Sequence, residues 1–135
     1  MKTMILGFIL TITWTIAWLT YAPKVGAAEF TVYSVYRPVD LGNAGEPQIK
    51  DFYINMGSNH GLRKGAVVNV YRKVASYDVA NQKLYKDLTF AFAKMKVIHV
   101  EENAGIARVE QLLPLDQTPV TGPRAVMVGD IIRLN

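Results

Sequence analysis

Cysteine is absent from all 135 residues. That absence excludes a disulfide framework, a cysteine-based zinc site, a thiol nucleophile and a lipid attached through a leader cysteine. Histidine is almost as scarce, with His60 and His99 as the only two. A protein metal centre needs three or four convergent ligands, and neither a His-x-His nor a His-x₃-His spacing occurs. Charge is sparse too. The formal net of +4 includes Lys2 and Lys24, so residues 29–135 hold 13 basic and 11 acidic side chains, a net of +2. Interspersed signs of this kind are not the basic patch or stripe of a nucleic-acid binder. Beyond residue 28 no segment keeps a helical period of apolar residues.

The first 28 residues differ from the rest. Met4–Ala22 (MILGFILTITWTIAWLTYA) has nineteen residues without a formal charge behind a single Lys2, and it contains both tryptophans, Trp14 and Trp18. Pro23 breaks the run, and Val25-Gly26-Ala27 or Gly26-Ala27-Ala28 meets the small-x-small requirement of signal peptidase. A signal h-region runs about 7–15 residues, whereas about 20 apolar residues span a bilayer. Residues 1–28 are therefore expected to be an N-terminal hydrophobic helix, serving either as a cleaved signal peptide or as an uncleaved anchor to the inner membrane. Both outcomes place residues 29–135 outside the cytoplasm as one exported domain. It is periplasmic, soluble after cleavage or held by residues 4–22.

Within residues 29–135, short β-branched and aromatic runs alternate with glycine, asparagine and proline clusters, which is an all-β signature. Phe30–Tyr36 is a strand with Phe30, Val32 and Tyr36 on one parity. Gln48–Met56 alternates, with Phe52, Ile54 and Met56 facing one way. Ala66–Val74 (AVVNVYRKV) follows the glycine-rich connection Gly57–Gly65 (GSNHGLRKG). Ala75–Asp87, rich in Tyr, Lys and Asn, reads as a long loop or lid. Leu88–Glu101, with His99 on the parity of Met95 and Val97, is long enough for a strand that bends or for two, and the turn Glu102–Gly105 makes a hairpin with Ile106–Leu113. Pro114–Pro123 holds three prolines and cannot be a central strand. Ala125–Leu134 carries Gly129-Asp130 as a bend before a last strand. About six strands suit a small closed or nearly closed barrel of SH3/OB-like size, and closure removes exposed strand edges.

Residues that could carry chemistry are few. Ser34, Ser58 and Ser76 have no Gly-x-Ser-x-Gly setting and no evident histidine-carboxylate pair. Glu101 and Glu102 are adjacent at a turn, which is the place of solvated charges rather than of a facing acid pair. Gly57, Gly61 and Gly65 lack the Gly-Lys-Ser/Thr ending of a phosphate loop and join two strands, so no helix N-terminus is available to an anion. Their expected role is a compact turn, with Leu62 plugging the core and Arg63-Lys64 in solvent. Tyr33, Tyr36, Tyr53, Tyr71, Tyr77 and Tyr85 fit an interaction surface or partial burial over a small core. No catalytic, metal or cofactor-binding residue is assigned, and no cofactor is expected.

The run Ile54–Gly65, followed by Val67–Arg72, resembles a module of bacterial envelope proteins. The module has an apolar strand, Gly-Ser, two polar residues, Gly-Val/Leu, two residues, Gly, and a strand ending in a Val-Tyr-Arg-like run. Met95–Val100, Ala107-Arg108-Val109 and Gly129–Ile132 match its later pieces. The order is similar to the C-terminal domain of flagellar assembly protein T over about residues 48–134, and a related glycine pattern occurs in rod-shape-determining protein C. Val74–Leu88 departs from the module as a longer insertion. The resemblance implies a non-enzymatic envelope module with other cell-envelope proteins as partners, among them flagellar basal-body ring components. A peptidoglycan- or carbohydrate-binding envelope module is the alternative.

Overall fold

The computed structural model describes residues 29–45 and 47–135. The expected leader at residues 1–28 lies outside the described residues. Six strands form: β1 (Phe30–Tyr36), β2 (Asp51–Ile54), β3 (Val67–Asp78), β4 (Lys83–Val100), β5 (Gly105–Leu112) and β6 (Ile131–Leu134). Every neighbouring pair is antiparallel, and the sheet closes into a ring in the order β1-β2-β5-β4-β3-β6. The all-β expectation is met.

Alternation puts the core inside the ring. Phe52 and Ile54 of β2, Val68 and Val70 of β3, Met95 and Val97 of β4, Ala107 of β5 and Ile132 of β6 are all buried together. Fully burying a side chain of this kind contributes about 1.5–3 kcal/mol. Met56 stays in that core beyond the end of β2, so the expected inward row Phe52, Ile54, Met56 is correct although the strand is shorter than Gln48–Met56.

Two expected parities fail, and each fails at a bulge. On β1, Val32 pairs with Ile54 but Ser34 pairs with Tyr53, so β1 carries one extra residue there. Inward facing then passes from Val32 to Val35, and Tyr36 turns out to solvent. On β4, Val97 pairs with Ala107 and His99 with Ile106, so Ile98 is extra. His99 therefore leaves the row of Met95 and Val97 and is exposed. A one-residue slip moves every later side chain to the other face.

Ala75–Asp87 is not a loop. β3 continues to Asp78 and β4 starts at Lys83, so the two strands run on past the ring as a two-stranded arm. Its polar composition misleads because both faces of the arm are wet, which suits Lys, Ser and Asp in a strand as well as in a loop. The tip is built by Asp78. Its Oδ1 accepts from the backbone N–H groups of Ala80 and Asn81, and its Oδ2 accepts from Asn81 Nδ2. Gln82, at φ 51°, closes the turn in the left-handed region.

The other connections are compact. The β4–β5 hairpin forms as expected, with Glu101 N–H donating to Ala104 O. After β5 the proline-rich stretch contains no strand and turns at Pro114–Gln117, where Thr118 Oγ1 donates back to Pro114 O. The last strand is only Ile131–Leu134, because in the preceding residues the Ala125 carbonyl accepts from Arg72 and the Met127 N–H donates to the nearby Asp130 side chain. Gly129, at φ 95°, makes the expected bend.

Candidate interaction surface

The glycine-rich connection packs onto the β4–β5 turn. Ser58–His60 forms one 3₁₀ turn, and its amides are consumed by that turn: Ser58 N–H donates to Glu101 O at 2.9 Å and Asn59 N–H to Glu102 O at 3.0 Å. A Cβ on Gly57 would overlap the Glu101 and Glu102 carbonyls. Gly61 adopts φ 86°, which ordinary side chains avoid. Leu62 is 1% exposed and fills the core from the loop, as expected. Amides that might have held a phosphate thus hold backbone carbonyls instead.

His60 sits over this turn. Gly57 N–H donates to His60 Nδ1 at 3.0 Å, and the imidazole packs 4.6 Å from the Phe30 ring. His99 lies elsewhere, in solvent, with Nε2 2.7 Å from Glu101 Oε1. Among the described residues no group of three or more His, Asp and Glu side chains converges on one point. Ser34, Ser58 and Ser76 fall on three separate exposed positions. Glu101 and Glu102 share the hairpin turn with their side chains in water.

Four of the tyrosines divide between two surfaces. Tyr33 and Tyr53 meet edge-on across β1 and β2, with ring centroids 6.2 Å apart. Tyr77 and Tyr85 lie on the arm. Tyr77 pairs with Leu84 and Ser76 with Tyr85, so the two rings occupy opposite faces of the ribbon. Tyr71 lies under the Arg133 guanidinium at 4.7 Å.

The arm carries exposed apolar area that the ring does not bury. Tyr77, Leu84, Tyr85 and Leu88 are each roughly half exposed. Where the arm leaves the ring, Val74, Leu88 and Phe90 face Pro119 and Thr121 across a groove of about 640 Å³. Lys73 Nζ, 2.8 Å from Asp87 Oδ1, ties the two strands on the arm's other face. The ion pair raises the Lys73 ammonium above its usual range, chiefly through its hydrogen bond to Asp87.

The chain matches no family model, and no curated protein is detectably similar to it. Among the described residues no helix is long and apolar enough to cross a membrane.

Sequence reasoning missed one constellation, which anchors the wall of that groove. Arg72 and Asp130 form a buried ion pair, and Arg72 also donates from Nη1 to Pro123 O and from Nη2 to Ala125 O. Its guanidinium lies 4.3 Å from the centroid of the Phe92 ring. Asp130 Oδ2 accepts in turn from Met127 N–H. One cation therefore pins the proline-rich segment across the mouth of the ring. The available signal was position: Val68, Val70 and Arg72 share the inward parity of β3, and an inward charge requires a partner. All of these contacts of the arginine are internal, so the cluster fastens one segment to another.

Proposed function

We propose that the chain is a non-enzymatic module of the bacterial cell envelope that works by binding other envelope proteins. The ring is read as a small closed barrel of SH3/OB-like size. Residues 4–22 are read as its export signal or anchor, and the module stands in the periplasm either free or held to the inner membrane. The resemblance over residues 48–134 makes the periplasmic rings of the flagellar basal body the most specific partner, with the module as an accessory structural component.

The observation that carries this reading is the arm. A two-stranded ribbon with half-exposed Tyr77, Leu84, Tyr85 and Leu88 presents apolar area without a shaped cleft, and the groove at its base adds a concave side. A lasting contact between proteins buries roughly 800 Å² per partner, and aromatic residues dominate such contacts. A ribbon that projects from the ring can meet a partner without distorting the core.

Replacing Ala75–Asp87 by a short linker tests the reading. The shortened protein should melt as the parent does, and the envelope proteins that co-purify with the parent should be lost. Recruitment that survives the replacement moves the interface off the arm. Intact-mass analysis of the exported protein tests the leader, with an N-terminus at Ala28 or Glu29 expected if it is cleaved.

The alternative, a peptidoglycan- or carbohydrate-binding module, draws on the Tyr33–Tyr53 pair, where the exposed Tyr33 ring, backed by the half-buried Tyr53, could stack on a sugar. Retention on insoluble peptidoglycan, abolished by Tyr33→Ala but not by loss of the arm, would favour it.

A further inference from the structure

We propose that two copies of this chain pair through the outer edge of β4, antiparallel about a two-fold axis passing between Lys86 and Asp87. The proposal does not rest on the envelope reading.

The edge is open. β4 pairs with β5 only as far as Ala93↔Leu112, where Leu113 N–H still reaches Phe92 O. From Lys83 to Ala91 the strand has β3 on one side and, among the described residues, no backbone partner on the other. Unpaired N–H and C=O rows of this kind are templates for another strand.

A second copy fits this edge because, in one register, it supplies opposite charges and apolar side chains across it. Between Val74↔Leu88 and Ser76↔Tyr85, β3 advances two residues while β4 advances three, so β4 holds an extra residue at Lys86–Asp87. Tyr85 and Leu88 therefore share one face of the ribbon although they are three apart. Lys83, opposite Asp78, and Phe90, opposite Arg72, lie on that same face. Leu84 and Thr89, opposite Tyr77 and Lys73, lie on the other.

A two-fold axis perpendicular to a sheet sets each residue opposite a residue of the same face. With the axis between Lys86 and Asp87, Tyr85 meets Leu88 of the second copy, Leu84 meets Thr89, and Lys83 meets Phe90. In an uninterrupted strand the same axis would place every residue opposite one that points the wrong way. An uninterrupted strand pairs with its copy only about an axis through a residue; the extra residue is what lets the axis fall between Lys86 and Asp87. At the centre Lys86 of each copy faces Asp87 of the other, and opposite charges directly across an antiparallel pair attract. Tyr85 and Leu88, both half exposed in a single copy, cover each other on either side.

The chain's lack of cysteine makes the register directly readable. Tyr85→Cys and Leu88→Cys are made separately in the intact chain, mixed, and oxidised under mild conditions. The mixture should cross-link at least roughly five-fold more than either variant alone. Residues directly opposite fall within disulfide reach, whereas Tyr85 of the two copies would be about 10 Å apart along the strand. No cross-link, or equal cross-linking by a single variant, overturns the register. Lys86→Asp should lower the dimer fraction in sedimentation of the intact chain, whereas Lys86→Arg should leave it unchanged; Asp87 is kept because it also accepts from Lys73. An unmodified chain that sediments only as a monomer, or a Lys86→Asp variant that dimerises as the parent does, overturns the pairing.

Discussion

Arg72 and Asp130, 58 positions apart in the chain, meet in a two-pronged ion pair with Nε–Oδ1 at 3.0 Å and Nη2–Oδ2 at 2.9 Å. Both side chains are almost wholly withdrawn from water, with 9% and 6% exposure. The pair closes a polar circuit that includes the Pro123 and Ala125 carbonyls and the Met127 amide. Its satisfaction is complete, since no buried side-chain nitrogen or oxygen among the described residues lacks a partner.

Removing one member should be far worse than removing both. Arg72→Ala strands a buried carboxylate and two carbonyls, and loss of about 3–5 kcal/mol is expected. The double variant Arg72→Met with Asp130→Leu should recover much of that loss. Urea unfolding of the three proteins checks this. A single variant as stable as the parent would mean that water replaces the pair without cost.

Gly57 and Gly61 should fail for different reasons. Gly57→Ala pushes a methyl group into the hairpin carbonyls, and overpacking of this kind costs about 1–3 kcal/mol. Gly61 has space around it but a φ of 86°, so Gly61→Val introduces backbone strain of about 1–3 kcal/mol. Thermal melting separates both from the parent. Gly61→Asn should be much milder, because asparagine tolerates the left-handed region.

Leu62→Ala should be the costliest single truncation in the glycine-rich connection, at about 2–5 kcal/mol. Leu62 is 1% exposed, and its side chain lies against Gly105, so the void would open between the loop and β5. Chemical denaturation with an unchanged slope would show the loss to be one of packing alone.

The arm tip should loosen in acid. Hydrogen bonds from the Asn81 side chain and backbone hold the Asp78 carboxyl below its usual range, against a small opposing effect of burial. A carboxyl lowered in the folded state stabilises the turn above the unfolded value, and that help is lost as pH falls through the folded value. Amide exchange at Ala80 and Asn81 should therefore rise below the normal aspartate range, while amides of β2 stay protected. Asp78→Ala should show the raised exchange at neutral pH.

Much of this architecture can be read from residue order, and the exceptions have physical causes. Phe30–Tyr36 was legible because a dense β-branched and aromatic run admits no other element. The β4–β5 hairpin was legible because Asn103 and Gly105 mark its turn. Side-chain direction past Val32 and past Val97 was not, since a bulge adds a residue without a compositional mark. The arm was hidden because a strand wet on both faces loses the alternation that identifies strands. Arg72 and Asp130 were visible as pieces of a pattern, but their meeting depends on how β3 and the final turn are brought together by the closed sheet.

Because the ring closes through β6 at Tyr71↔Ile131, with Arg72 fastened to Asp130, and through β5 at Ala93↔Leu112, with Leu113 N–H on Phe92 O, the described strands beyond Arg72 and Phe90 take no part in closure. The length of the arm is thus uncoupled from the integrity of the domain. Inserting or deleting two residues on each of its strands would shift its reach by about 7 Å and leave every side chain on its original face. Span can be tuned in discrete steps while the folded body beneath it stays the same.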